Sequence, residues 1–182
     1  MAFYSFKGGV GRTMTLANVA WRLADRHGLR VVVVDFDLDA PALHGWFGIT
    51  EDVATTRPGV LDFLNDWMAS VDQVSDSIPD ARASLVPVKA EGFAPRNGEL
   101  SVMLAGRLDD QYDGRLAQLD LGRILQDAAG RVAIDTLRLQ LLECADVILV
   151  DCHAGLSDSA RICTTLLADA VVLLTTPAAQ SL

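Results

Sequence analysis

Seven consecutive residues near the start of the chain, Lys7-Gly8-Gly9-Val10-Gly11-Arg12-Thr13, combine three glycines, two cations and a hydroxyl. Glycine lets a backbone wrap closely around an anion with its N–H groups turned inward, and a helix N-terminus beyond it adds positive potential. The chemistry of such a stretch is phosphate binding. Two acidic sites complement it, because Asp35-Phe36-Asp37 and Asp151 each close an apolar run. Mg2+ fills its octahedral shell with one or two carboxylates, water and phosphate oxygens, and Asp37 and Asp151 suit that need. The general phosphate-loop pattern is GxxxxGK followed by Ser or Thr. Here Phe6 stands at its first glycine and Arg12 at its lysine. Arginine keeps the charge and can grip phosphate through two N–H groups, as a planar fork where lysine is a point charge.

This chemistry requires the loop and the carboxylates to meet at one edge of a sheet. Residues 2–6 read as a short strand leading into the loop. Residues 13–27 read as a helix, with Leu16, Val19, Ala20, Leu23 and Ala24 on one face and Gly28 closing it. Arg30 to Phe36 is too uniformly apolar to leave one face in water, which suits a parallel sheet covered on both sides. Further strands are expected at 100–104, 147–150 and 170–175. Helices are expected at 60–68, 115–128 and 132–143, with a break near Gly130, and from a Ser157 cap to about Leu167. Residues 70–99 carry Pro79, Pro87 and Pro95 with few periodic signals, and are expected to be irregular with one short strand at most. The alternation predicts an α/β fold, a mostly parallel twisted sheet with helices on both faces. Ligands of such sheets lie beyond the carboxyl ends of the strands, which turns Asp37 and Asp151 towards the loop.

Lys7, Gly8, Gly9 and Thr13 resemble the deviant Walker A motif of the ParA/MinD family of P-loop ATPases, KGGxxK followed by Ser or Thr, with Arg12 as the one departure. The opening is similar to that of a bacterial subgroup reading FxSFKGGVGRT. Val33-Val34-Asp35-Phe36-Asp37 looks like the family's second acidic motif, and Ile148-Leu149-Val150-Asp151 like its Walker B. Cys152-His153-Ala154-Gly155-Leu156 resembles its DxPAG switch, with His153 where proline is common. The resemblance implies that Lys7 is the signature lysine, reaching across a nucleotide-sandwich homodimer to the partner's phosphates. It also implies nucleotide contacts from Lys7, Gly8, Gly9, Val10, Gly11, Arg12, Thr13, Met14, Gly155 and Pro177. Thr13, Asp37 and Asp151 would serve Mg2+, Asp37 would orient the attacking water, and the Gly155 N–H would report the γ-phosphate. ATP and Mg2+ are the implied cofactors. His153 is expected to be a switch-loop substituent, Asp39 a solvated turn residue, and His27 and His44 surface residues.

The chain has 182 residues and a formal net charge of −9, which disfavours broad charge-driven binding to nucleic acid or anionic membrane on this portion. Of its 15 basic residues only Lys7 and Lys89 are lysine, so a lysine at the signature position stands out. Cys144, Cys152 and Cys163 match no common metal-ligand spacing and are expected to be buried structural thiols in a cytoplasmic protein. The expectation is a single P-loop nucleotide-binding domain over residues 1–182, incomplete at its C-terminal end, with Ala178 to Leu182 opening a helix. A C-terminal region or attached domains would carry further partners, which leaves DNA and membrane binding undetermined. Bacterial tyrosine kinases share similar Walker motifs but end in a tyrosine cluster, and this chain has only Tyr4 and Tyr112. Three readings follow: an ATP-hydrolysing switch, a nucleotide-binding sensor or scaffold with little hydrolysis, and a structural half-domain that binds no nucleotide.

Overall fold

The computed structural model describes residues 1–74 and 77–177. The chain runs β1 (Ala2–Ser5), α1 (Arg12–His27), β2 (Arg30–Phe36), α2 (Leu43–Trp46), α3 (Glu51–Thr56) and α4 (Val60–Asp72). A 3-10 turn at Ala81–Ser84 leads to β3 (Leu85–Pro87), β4 (Glu99–Met103), α5 (Tyr112–Gln118), α6 (Leu121–Gln126) and α7 (Ala128–Cys144). After β5 (Val147–Cys152), α8 (Asp158–Arg161) continues as a π-helical turn, Ile162–Leu167, before β6 (Val171–Leu174).

The six strands lie in the order β3-β4-β2-β5-β1-β6, all parallel except the short edge strand β3, which is antiparallel to β4. Strand β2 shows why its apolar run is unbroken. Val31 and Val33 pack with Leu16 and Ala20 of α1 and with Leu43 and Phe47 on one face. Val32, Val34 and Phe36 pack with α4 and α7 residues such as Leu64, Ile134 and Leu137 on the other. The two-residue period of a strand thus serves two cores. Each side chain so buried contributes about 1.5–3 kcal/mol of transfer free energy. The β2–β5 register sets Asp35 opposite Asp151, and β1 pairs on the far side of β5. The ends of three central strands therefore converge on the loop.

Most expected elements are present, and α1 does end at Gly28. The expected helices 115–128 and 132–143 are corrected to three. The chain breaks between α5 and α6, where Asp120 caps α6 by accepting the Arg123 N–H at 2.8 Å, and again at Asp127. Gly130 lies inside α7. It breaks nothing, and a Cβ there would sit 2.3 Å from the Ile124 Cα, so glycine is what lets α7 and α6 touch. Ser157 caps α8 as expected, its Oγ accepting the Ala160 N–H at 3.2 Å. The short helices α2 and α3 had no periodic signal long enough to announce them. The expected helix at Ala178 to Leu182 lies outside the described residues. Cys152 and Cys163 are buried, Cys144 is partly buried, and all three thiols are free. Among the described residues no helix is long and apolar enough to cross a membrane.

Candidate functional site

Strand β1 ends at Ser5, and the backbone then turns over the sheet edge into α1. Gly9 and Gly11 take φ of +76° and +81°, a region that side-chain-bearing residues rarely enter. Built at Gly8 or Gly9, a Cβ would meet nothing within 4 Å, so the loop faces open space. That space is a cleft of about 390 Å³. Gly8, Gly9, Val10, Gly11, Arg12, Thr13 and Met14 line one side, with Ser5, Asp37, Ala40, Trp46, His153 and Ala154 completing it.

At the floor of the cleft Arg12 is buried, with its guanidinium between two acids. Its Nε donates to Asp151 Oδ1 at 2.7 Å and its Nη2 to Asp37 Oδ2 at 2.6 Å, while Nη1 lies 3.4 Å from Ser5 Oγ. Burial works against the charge on Arg12, but Asp151 and Asp37 more than offset it and raise its pKa. Thr13 Oγ1 donates to Asp151 Oδ2 at 2.6 Å. Burial holds the Asp151 pKa above its ordinary value despite Arg12 and Thr13.

Asp35 lies beneath this pair and is buried. It accepts the N–H groups of Leu43 at 3.2 Å and Asp37 at 3.3 Å. Burial first, then the neighbouring Asp151 charge, pushes its pKa from 3.8 up to about 8. The unfolded chain releases this proton near pH 3.8, whereas the folded chain keeps it until about pH 8. The stability it contributes is therefore complete below the unfolded value and is lost as pH rises towards the folded one. Asp35→Asn is expected to flatten this decline, measured by urea unfolding at about pH 5 and about pH 8. Equal pH dependence in the two proteins would refute the assignment.

The other expected site residues are placed differently. Lys7 is exposed and does not line the cleft, although its carbonyl accepts the Ser5 hydroxyl at 2.9 Å. The Gly155 N–H donates to the Ser5 carbonyl at 3.0 Å, so meeting a γ-phosphate there means exchanging that hydrogen bond. Pro177 is exposed beyond β6 and is not part of the cleft lining. Asp39 and His27 are exposed, as expected. His44 is corrected from a surface residue to a half-buried one whose Nε2 lies 3.4 Å from Glu51. His153 is more than a loop substituent, since its Nδ1 lies 2.7 Å from Asp37 Oδ1. Ser5 and Trp46 carried no motif signal. The i, i+2 spacing of Asp35 and Asp37 was the available sign that both acids belong to one strand end.

The Thr13 hydroxyl and the Asp37 carboxylate line the cleft, and the buried Asp151 carboxylate meets the Thr13 hydroxyl behind them; all three are hard oxygen donors. Mg2+ takes such a set when phosphate and water fill the rest of its shell, so these residues fit the metal. A left-handed glycine loop opening a helix, over a threonine and a strand-end aspartate on a parallel sheet, defines a P-loop nucleotide-binding domain. The chain belongs to the CobQ/CobB/MinD/ParA nucleotide binding domain family, which matches residues 1–171. The fold is similar to MinD of Pyrococcus horikoshii complexed with Mg-ADP, with a TM-score of 0.66 at 20% identity over 99% of this chain and 58% of that one. Cobyrinic acid a,c-diamide synthase of Mycobacterium smegmatis, with a bound ATP analogue and magnesium, gives 0.65 at 21% identity over 95% and 56%. In sequence, 72 residues are 40% identical to an iron-sulfur cluster carrier protein of Pseudomonas fragi, covering 40% of this chain and 23% of that protein. The chain thus spans less than two thirds of the length of each of these relatives.

Proposed function

We propose that this domain is a Mg2+-dependent ATP-binding and hydrolysing switch of the ParA/MinD type that dimerises around ATP. The observation that carries this reading is the Thr13–Asp151 contact at 2.6 Å beneath the glycine loop, with Asp37 facing the same cleft. The loop N–H groups and the α1 N-terminus cradle the β- and γ-phosphates, and Arg12 adds charge. Thr13 and Asp151 would hold the metal, and Asp37 would orient the attacking water. Bound with ATP, Mg2+ neutralises charge on the phosphates. Lys7, which is exposed, would reach the phosphates of a second copy, the role that its place in the KGG motif implies. Relatives crystallised with Mg-ADP or an ATP analogue and magnesium support the choice of cofactors. Three free thiols accord with a cytoplasmic setting.

Light scattering tests this reading. ATP with Mg2+ is expected to double the mass of the particle, and ADP is expected to reverse it. If ATP with Mg2+ leaves both the mass and the melting temperature unchanged, the domain is a structural unit that binds no nucleotide.

The engagement of Arg12 with Asp37 and Asp151 favours a second reading, a nucleotide-binding sensor or scaffold with little or no hydrolysis. Lysine is a single point charge and cannot span both acids as a guanidinium does. On this reading Arg12→Lys raises turnover by about tenfold or more, the effect of freeing one water-positioning carboxylate. Unchanged binding and rate in Arg12→Lys would remove its basis.

A further inference from the structure

The loop that follows β5 carries His153 to the wall of the cleft, where its ring meets Asp37. Nδ1 lies 2.7 Å from Asp37 Oδ1, while Asp39 Oδ2 stands 3.6 Å away, beyond hydrogen-bond length. Asp37, paired with Arg12 as a carboxylate, only accepts hydrogen bonds, so Nδ1 carries the proton in this contact. The backbone is pinned on both sides of His153. Cys152 stands opposite Phe36 in the β2–β5 ladder, the Gly155 N–H donates to the Ser5 carbonyl at 3.0 Å, and Tyr4 Oη donates to the Gly155 carbonyl at 3.2 Å. A carboxylate held at one oxygen still turns about its last torsion, which is broad in aspartate. Arg12 holds Oδ2 but divides its guanidinium with Asp151, and the His153 hydrogen bond on Oδ1 completes the restraint. Proline, common at this position in the switch that the loop resembles, brings no side-chain donor.

We propose that His153 is a positioning residue for ATP hydrolysis, whose Nδ1–H fixes the plane of the Asp37 carboxylate and so the place of the attacking water. The assignment rests on the proposed hydrolysing switch and adds to it a side chain from outside the phosphate loop and the strand-end acids. The role belongs to the Nδ1 position of the ring. An asparagine side chain carries its N–H donors as many bonds from the backbone as Nδ1, whereas glutamine carries them as far out as Nε2.

Steady-state phosphate release with ATP and Mg2+ tests this on variants shown to be folded by circular dichroism. His153→Gln is expected to lower kcat by about 10–100-fold with KM for ATP little changed, the usual cost of losing a group that orients a reacting carboxylate. His153→Asn is expected to recover most of that loss, and Asp39→Asn to turn over like wild type. A kcat for His153→Gln equal to that of wild type overturns the proposal. So does an equal fall in the Asn and Gln variants, or a change confined to KM. Should His153→Gln not fold, His153→Ala takes its place in the same comparison. Absence of turnover in wild type strikes the switch reading instead, and nuclear magnetic resonance of the ring proton then judges His153 by itself. A protected Nδ1–H signal is expected in wild type, absent from His153→Asn and displaced in Asp37→Ala. A signal indifferent to Asp37→Ala overturns the proposal whatever the turnover.

Discussion

Asp37→Ala is expected to lower ATP turnover by about 10²–10⁴-fold, the range a positioned acid or base supplies, while leaving ATP binding in place. Asp37 lies just beyond the end of β2, faces the cleft, and is held by Arg12 Nη2 on one oxygen and His153 Nδ1 on the other. Two partners on opposite oxygens fix the plane of the carboxylate, which is what positioning a water molecule requires. The loop backbone proposed to cradle phosphate is left in place by the change. Binding and hydrolysis should therefore separate, and the ATP-bound dimer should accumulate because its exit step is blocked. The measurement pairs phosphate release with light scattering in ATP and Mg2+. Equal turnover by wild type and Asp37→Ala would sink the assignment. A variant that loses ATP binding along with turnover would instead make Asp37 part of the phosphate cradle.

The second large effect is on stability. Asp151→Ala is expected to cost about 3–5 kcal/mol, the usual penalty for leaving a buried charge without its partner. Asp151 is 2% exposed, and the Arg12 that it holds is 7% exposed. Losing the carboxylate leaves Arg12 with Asp37 as its one remaining carboxylate and leaves the Thr13 hydroxyl without its acceptor. Urea unfolding of the variant measures the loss. Asp151→Asn should lose less, because its amide oxygen still accepts a hydrogen bond. The double variant Asp151→Ala with Arg12→Met completes a cycle that isolates the coupling between the two residues. A cost below about 1 kcal/mol for Asp151→Ala would place the pair among weak, solvated ion pairs and contradict its burial. The same variant should lack the Mg2+-dependent shift in melting temperature that ATP is expected to give wild type.

These two residues also mark how far the sequence could be read. The glycine loop was legible because Gly9 and Gly11 must take positive φ, a constraint that lives in single residues. Strand β2 was legible because seven residues without a polar alternation need cover on both faces. Asp37 and Asp151 could be named as candidates because each ends such a strand. Gly130 was misread as a break. A helical glycine is destabilising in isolation, and its use here is the 2.3 Å approach to the Ile124 backbone, which belongs to another helix. The short helices α2 and α3 fall below the length at which periodicity can speak.

The sequence by itself determined that this chain carries a phosphate loop between a buried strand and a helix, with strand-end acids to complement it. Sterics over a few neighbouring residues are enough for that. Only the tertiary structure decided that Arg12 turns from the loop onto Asp37 and Asp151, that Asp35 keeps its proton below them, and that His153 holds the far oxygen of Asp37. Arg12 and Asp151 are 139 positions apart, and His153 and Asp37 are 116 apart. Strand order and the β1–β5 and β2–β5 registers bring them together across those separations, and the charge of each group follows from burial beside the others.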